Sequence, residues 1–408
     1  MNARTRIPVE AEAGFPGDER VTWRCQRARL IGRKWFGTTL VLAFLLGACS
    51  GARANYFSKE AFEPYRSTGP YPFWSKTWMS LEPRVRFDAD GIPYVVYRFG
   101  RASNPVTVSL FALLAYNHHV QTGSKPDRSS FLHLADWLVG NQAEACGCWF
   151  YNFDYGYSTL GETLARPWIS AMAQGLGISV LTRAYVLTND TKYLRFAVRA
   201  LAPFQKSVEG GGVSRLFMLL ERGPVDSHRF FYEEYPTQPA PSFTLNGFMF
   251  ALLGLYDLAQ LHDAEALGLF NQGIETLEVS LPFFDLGNGS AYDLGHLTRP
   301  PRSVHSDLGY HMIHIYLLNA LGSATNNQTL LWYRDHWNSY GNILDVQWVW
   351  LQHFARWVLL GHPYAGGGFF LLLLFGLTVS LRPLAKRVRS GVTTRSARTT
   401  MRWSGLVF

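Results

Sequence analysis

The chain holds only four cysteines among 408 residues, and only 17% of its side chains are charged. So few thiols cannot frame a disulfide-built scaffold, and Cys146-Gly147-Cys148 is too tight a spacing for a zinc site by itself. That pair reads equally as a local disulfide or as two free thiols. Sparse charge combined with 48% hydrophobic and 15% aromatic residues excludes a disordered chain. The length suits one large or two ordinary domains. A basic body is missing too, despite a net charge of +8. Residues 1–48 carry 8 basic and 4 acidic side chains, and residues 382–408 carry 7 basic and none acidic. The remainder has 23 basic against 26 acidic side chains, which argues against a nucleic-acid partner.

Long apolar runs flanked by basic residues lie near the two ends. Arg24, Arg27, Arg29, Arg33 and Lys34 precede an uncharged stretch from Trp35 to Ala52, the pattern of a secretory signal or signal anchor. Leu46-Gly47-Ala48-Cys49 resembles a lipobox, so Cys49 is either a lipidation site or a chance cysteine; Cys25 precedes the membrane. Residues 357–381 are expected to span a membrane, although Pro363 interrupts the stretch, and Arg382, Lys386, Arg387 and Arg389 hold the tail in the cytoplasm. The expected organisation is a basic leader over 1–48, a β-rich segment over 49–104, a helical domain over 105–345, a spanning helix over 357–381 and a basic tail over 382–408. The catalytic body would then be membrane-anchored and extracytoplasmic.

Within the body, Arg84 to Tyr97 reads as two strands joined by the Asp88-Ala89-Asp90-Gly91 turn. Helical periodicity follows at 105–121, 129–142, 168–188, 191–207, 242–261, 263–279, 307–322 and 328–340. Eight helices in four hairpins predict a mainly α fold, an (α/α) toroid. The segments Trp168 to Leu187 and Ser242 to Leu258 are apolar nearly all round, as inner helices are. Their polar residues Gln174, Arg183 and Asn246 must therefore face a partner or a cavity.

The long stretches 209–241 and 280–306, with the helix start after them, hold the densest titratable clusters. These are Tyr232-Glu233-Glu234-Tyr235-Pro236, Tyr292-Asp293-Leu294-Gly295-His296 and the run from Asp307 to His314. His311 and His314 are helical neighbours, but no carboxylate completes a recognised metal set, so no metal is expected. Tyr310 falls near a helix N-terminus, where the dipole would lower its pKa below the usual value of about 10.

The run from Tyr232 to Pro239, continued by Ser242 to Leu258, resembles the core motif of the D-glucuronyl C5-epimerases of heparan-type polysaccharides. Similarity extends through Trp168 to Gly175, Arg183 to Thr188, Leu281 to Gly287, Tyr292-Asp293-Leu294 and Tyr310 to Ile315. The resemblance implies a toroid with a smaller β-rich part, a homodimer, an acidic polysaccharide substrate, and a site using Glu234, Tyr235 and Tyr310. Epimerisation removes the proton next to a carboxylate and returns one from the opposite face, so two proton-transfer groups are needed and no redox cofactor. Tyr235, tuned by Glu234, is expected on one face and Tyr310 on the other. Tyr292, His311, His314, Asn246, Arg183 and Glu233 are the expected substrate contacts. Three features depart from the family pattern: Gly295 stands where an Arg follows the Tyr-Asp-Leu motif, Phe111 where the family has Tyr, and the Asp-Tyr-His motif is expanded to Asp307-Leu308-Gly309-Tyr310-His311. Arg183, Arg299 or Arg302 could replace the missing cation. A uronate polysaccharide lyase and a non-catalytic glycan-binding relative are the competing readings.

Overall fold

The computed structural model describes residues 55–72, 84–157, 161–219 and 229–341, all within one compact unit, Arg53–Asn342. The leader with Cys25 and Cys49, the 357–381 span and the basic tail lie outside the described residues. Among the described residues no helix is long and apolar enough to cross a membrane.

The helices begin where the sequence offers caps. Asn104 accepts a hydrogen bond from the Thr107 N–H at 3.3 Å and Pro105 pre-sets the first turn, starting α1 (Pro105–Thr122). Ser124 does the same for α2 (Lys125–Asn141), Ser170 for α3 (Ala171–Thr188) and Asp190 for α4 (Thr191–Arg199). The next elements are α5 (Leu245–Ala259), α6 (Ala264–Phe284), the short α7 (Gly295–Thr298), α8 (Leu308–Thr325) and α9 (Gln328–Asn338). Among the described residues the protein is thus mainly helical, with four hairpins, α1–α2, α3–α4, α5–α6 and α8–α9. The first helix of each hairpin packs on the first helix of the next, forming the inner row α1, α3, α5, α8. In α3 every residue from Ala171 to Ala184 is buried, and a Cβ on Gly175 or Gly254 would collide with the facing backbone, so α3 and α5 touch main chain to main chain.

Two boundaries differ most from the periodicity. α4 stops at Arg199, and Pro203 sits in a separate 3₁₀ turn, Ala202–Gln205, because its ring cannot continue an α-helix. α6 runs five residues past the expected end, through Pro282, because Leu281 and Phe284 are fully buried there.

The sheets are small: β1 (Val85–Phe87), β2 (Pro93–Tyr97) and β3 (Gly100–Ala102) form an antiparallel meander, while β4 (Tyr155–Tyr157) pairs with β5 (Glu162–Leu164) and β6 (Ser214–Leu216) with β7 (Phe230–Tyr232). The expected β-rich segment is therefore only partly β. Residues 55–72 contain no strand and instead form a strap held by side-chain amides. Asn117 brackets the Tyr71 backbone at 2.6 and 2.9 Å, Asn319 donates to the Glu63 carbonyl at 2.9 Å, and Asn338 brackets Phe57 at 2.9 and 3.0 Å. Cys146 and Cys148 are joined as a disulfide.

Under the strap lies Arg183. It is fully buried, 2.5 Å from Asp257 and 2.9 Å from the Tyr65 hydroxyl, with the rings of Tyr65, Tyr71 and Tyr116 around its guanidinium. Asp257 also accepts from Tyr65 at 2.7 Å and Ser179 at 2.7 Å. Burial pushes the Asp257 carboxyl up, and Arg183 with these hydrogen bonds pulls it back. The expectation that Arg183 contacts substrate is corrected: every direction around it is filled by protein. Arg183→Met should lower the unfolding free energy by about 3 kcal/mol, because it strands a buried carboxylate. Urea denaturation of both proteins checks this; an unchanged midpoint would show the pair to be dispensable.

Candidate active site

The inner helices run the same way. Their C-terminal halves carry Asn117, Arg183, Asp257 and Asn319 against the strap, and their N-terminal ends meet at the opposite end of the unit. There the backbone of Glu233 accepts from the first residue of α3, Ala171, at 2.9 Å and donates to Val213 at 2.8 Å, which fixes the strand end that presents Glu234 and Tyr235.

Glu234 is buried between Tyr235 and the first turn of α5. A Cβ on Gly247 would occupy the space of its carboxylate, so that glycine is what admits the acid. Burial raises Glu234 to about 8, the neighbouring Glu233 reinforces the shift, and hydrogen bonds from Tyr235 and Asn246 oppose it. Among the described residues, Glu234 Oε2 and Asn246 Oδ1 are buried without a hydrogen-bond partner.

Around the acid stands a cluster of tyrosines. Tyr235 stacks on Tyr157 at 4.6 Å and on Tyr155 at 5.5 Å, with Trp168 behind it at 6.2 Å. Tyr292 and Tyr310 meet at 4.3 Å, and all five tyrosines belong to one contact group. The Tyr157 hydroxyl donates to the buried Asp293 at 2.6 Å, and the Gly295 N–H donates to the other oxygen at 2.9 Å. Gly295, where a cation was looked for, thus contributes a backbone bond that holds Asp293.

Glu234, Tyr235, Tyr292, Tyr310 and Asn246 are brought together as the sequence suggested. Three other expected contacts are not. Glu233 turns away: its Oε2 accepts from the Ser242 hydroxyl at 2.8 Å and the Phe243 N–H at 3.1 Å, and Phe243 has a left-handed φ of 49°. It braces the entry into α5, and burial raises it to about 7. His311 and His314 lie on the core face of α8, both with Nδ1 on the Ser290 hydroxyl, at 2.8 and 2.7 Å. Phe111, the position where the family has Tyr, packs on Phe87 at 5.2 Å.

The expectation for Tyr310 reverses as well. Asp307 caps the α8 N-terminus and the Tyr310 N–H bonds to it at 3.2 Å, yet burial and then Glu234 push the phenol up to about 12. Desolvation and a neighbouring acid outweigh the helix dipole. Tyr235 is also raised, mainly by burial. At neutral pH these phenols are proton donors.

Sequence reading passed over Tyr155 and Tyr157, and gave Asp293 no role of its own. A signal was present: Tyr151, Phe153, Tyr155 and Tyr157 alternate with period two, the mark of one face of an extended segment.

The histidines make a testable contribution to acid sensitivity. Burial lowers His311 to about 4 and His314 well below its usual value. Below the unfolded value of about 6.5 the unfolded chain takes up a proton that the fold refuses, so stability falls as the pH drops. For His311 the loss between pH 7 and pH 5 is about 2 kcal/mol. Glu233 and Glu234, whose folded values are raised, act with the opposite sign over the same interval. The His311 share is therefore read as a difference: His311→Asn should become relatively more stable than the parent by about 2 kcal/mol on going from pH 7 to pH 5. Parallel pH dependences of the two proteins would sink the assignment.

Residues 142–339 match the family described as D-glucuronyl C5-epimerase C-terminus. The D-glucuronyl C5-epimerase of Caenorhabditis elegans is 38% identical over 224 residues, which cover 52% of this chain and 35% of that protein. An uncharacterized protein of Methanocaldococcus jannaschii is 31% identical over 150 residues, 36% of this chain and 46% of its own. The chain thus spans between a third and a half of the length of these relatives. Among solved structures, the unsaturated glucuronyl hydrolase of Bacillus sp. GL1 aligns with a TM-score of 0.38 and 14% identity, over 58% of this chain and 60% of that one.

Proposed function

We propose that this chain, which resembles the D-glucuronyl C5-epimerases over its helical body, inverts carbon 5 of glucuronate residues within an acidic polysaccharide. The observation that carries the reading is the convergence of Glu234, Tyr235, Tyr292 and Tyr310 on one cluster at the N-terminal ends of the inner helices. We read the four hairpins as part of an (α/α) toroid whose inner row holds that cluster.

Carbon 5 is bonded to the carboxyl carbon, so its hydrogen leaves as a proton when the electron pair can move onto the carboxylate as an enolate. The Glu234–Tyr235 pair takes that proton on one face. An acid raised to about 8 is a stronger base than an ordinary carboxylate once ionised, and near neutral pH it populates both forms. Tyr310, protonated at that pH, returns a proton to the opposite face, and the reverse reaction exchanges the two roles. Tyr292 and Asn246 supply hydrogen bonds to the uronate, and Asp293 holds Tyr157 under the ring of Tyr235. No atom is gained or lost and no electron leaves the substrate.

The test uses the full chain with a glucuronate polymer in deuterated water. Deuterium at carbon 5 without chain cleavage supports the proposal. Cleavage with unsaturated, ultraviolet-absorbing ends would establish the lyase, and binding without exchange would establish a non-catalytic relative.

A further inference from the structure

The segment Arg299 to His305 lines a groove of about 630 Å³. It begins where the tyrosine cluster ends: the His305 ring lies 4.6 Å from Tyr292, its carbonyl accepts the Tyr292 N–H at 2.7 Å, and its Nδ1 is 3.8 Å from Asp293. Pro300 and Pro301 stiffen the segment, and two guanidiniums flank them. Arg299 pairs with Glu162 on β5, which commits one charge to holding the segment on the β4–β5 hairpin. Arg302 lies over Gly161, where even a Cβ would come within 3.2 Å of its Nη2.

Apart from its two ends the chain has a small excess of acidic side chains, so a polyanion cannot be drawn to the body by overall charge. Cations must be concentrated locally, and this groove concentrates two Arg and a His within seven residues beside the tyrosines. A planar guanidinium matches a carboxylate or a sulfate in two parallel hydrogen bonds. We propose that the groove is a subsite for the anionic group of a neighbouring sugar in the polymer, with Arg302 as its principal contact and His305 as the wall shared with the reacting uronate. The proposal rests on the epimerase reading for the identity of the polymer. Its action is to position the chain, so it governs binding more than turnover.

Calorimetric titration of the full chain with an unsulfated glucuronate–hexosamine hexasaccharide tests it. Arg302→Gln should raise Kd about tenfold at low salt, the loss of one charge-assisted contact, and Arg302→Lys should recover part of the loss. A carboxyl-reduced hexasaccharide should bind parent and variant alike. A sulfated hexasaccharide run in parallel identifies sulfate as the anion if it alone separates parent from variant. In the deuterium assay Arg302→Gln should act on KM and not on kcat. Equal Kd values for parent and Arg302→Gln with both oligosaccharides overturn the subsite while leaving the epimerase reading intact. Arg302-dependent binding with no deuterium exchange overturns the epimerase reading and leaves the subsite standing. Absence of any binding to the parent chain overturns both.

Discussion

Tyr310→Phe should cut deuterium incorporation at carbon 5 by about 10²–10⁴-fold, the range that one positioned proton donor contributes. The substitution deletes a hydroxyl and keeps the ring that meets Tyr292 at 4.3 Å, so packing at the start of α8 survives. The hydroxyl has a hydrogen-bond partner in the buried Tyr292, so the thermal midpoint should fall by no more than a few degrees, the cost of about one hydrogen bond. Exchange at the parental rate would remove Tyr310 from the reaction. A loss of activity that tracks a large fall in midpoint would assign the residue to packing.

Glu234→Gln should be equally damaging to exchange and should move stability the other way. The folded-state value of about 8 lies above the unfolded value near 4.5. This carboxyl therefore favours the fold only while protonated, and its ionisation costs stability increasingly as pH rises from 4.5 to 8. Glutamine keeps the shape and cannot ionise. At pH 8 the variant should be more stable than the parent by on the order of 2 kcal/mol or more, with the gap closing toward pH 5. Urea midpoints at the two pH values measure it. A variant that is both inactive and less stable at pH 8 would mean that Glu234 is held ionised by groups other than those around it here. A stabilised, inactive protein is the signature of an acid kept buried for chemistry.

Much of this architecture could be read from residue order. The eight helices begin within a few residues of the caps and prolines that announce them, and the Asp88 to Gly91 turn joins the predicted strands. The inner row was legible because α3 and α5 are apolar on every face. What periodicity cannot supply is the partner of a buried polar group. Arg183 sits on such a helix, and nothing local indicates that Asp257, 74 positions away, and Tyr65, 118 positions away, will close on it. His311 and His314 invite a functional reading by their spacing, yet Ser290 reaches them from another loop. Glu233 and Glu234 are adjacent in an extended segment, so alternation sends one to a backbone turn and the other to the tyrosines. The pKa of Tyr310 was misjudged because a helix terminus is visible in sequence while desolvation is a property of the assembled cluster.

The shared direction of the inner helices also alters the charge inventory of the site. Each helix start carries about half a positive elementary charge in its terminal amides, offset at α8 by the capping carboxylate of Asp307. That charge belongs to the backbone. It has no pKa, no substitution of Lys or Arg removes it, and it is absent from any count of side chains. On the epimerase reading, an acidic sugar entering the tyrosine cluster meets an attraction that salt can screen and pH cannot titrate, set against the two carboxyl groups there, Glu234 and Asp293.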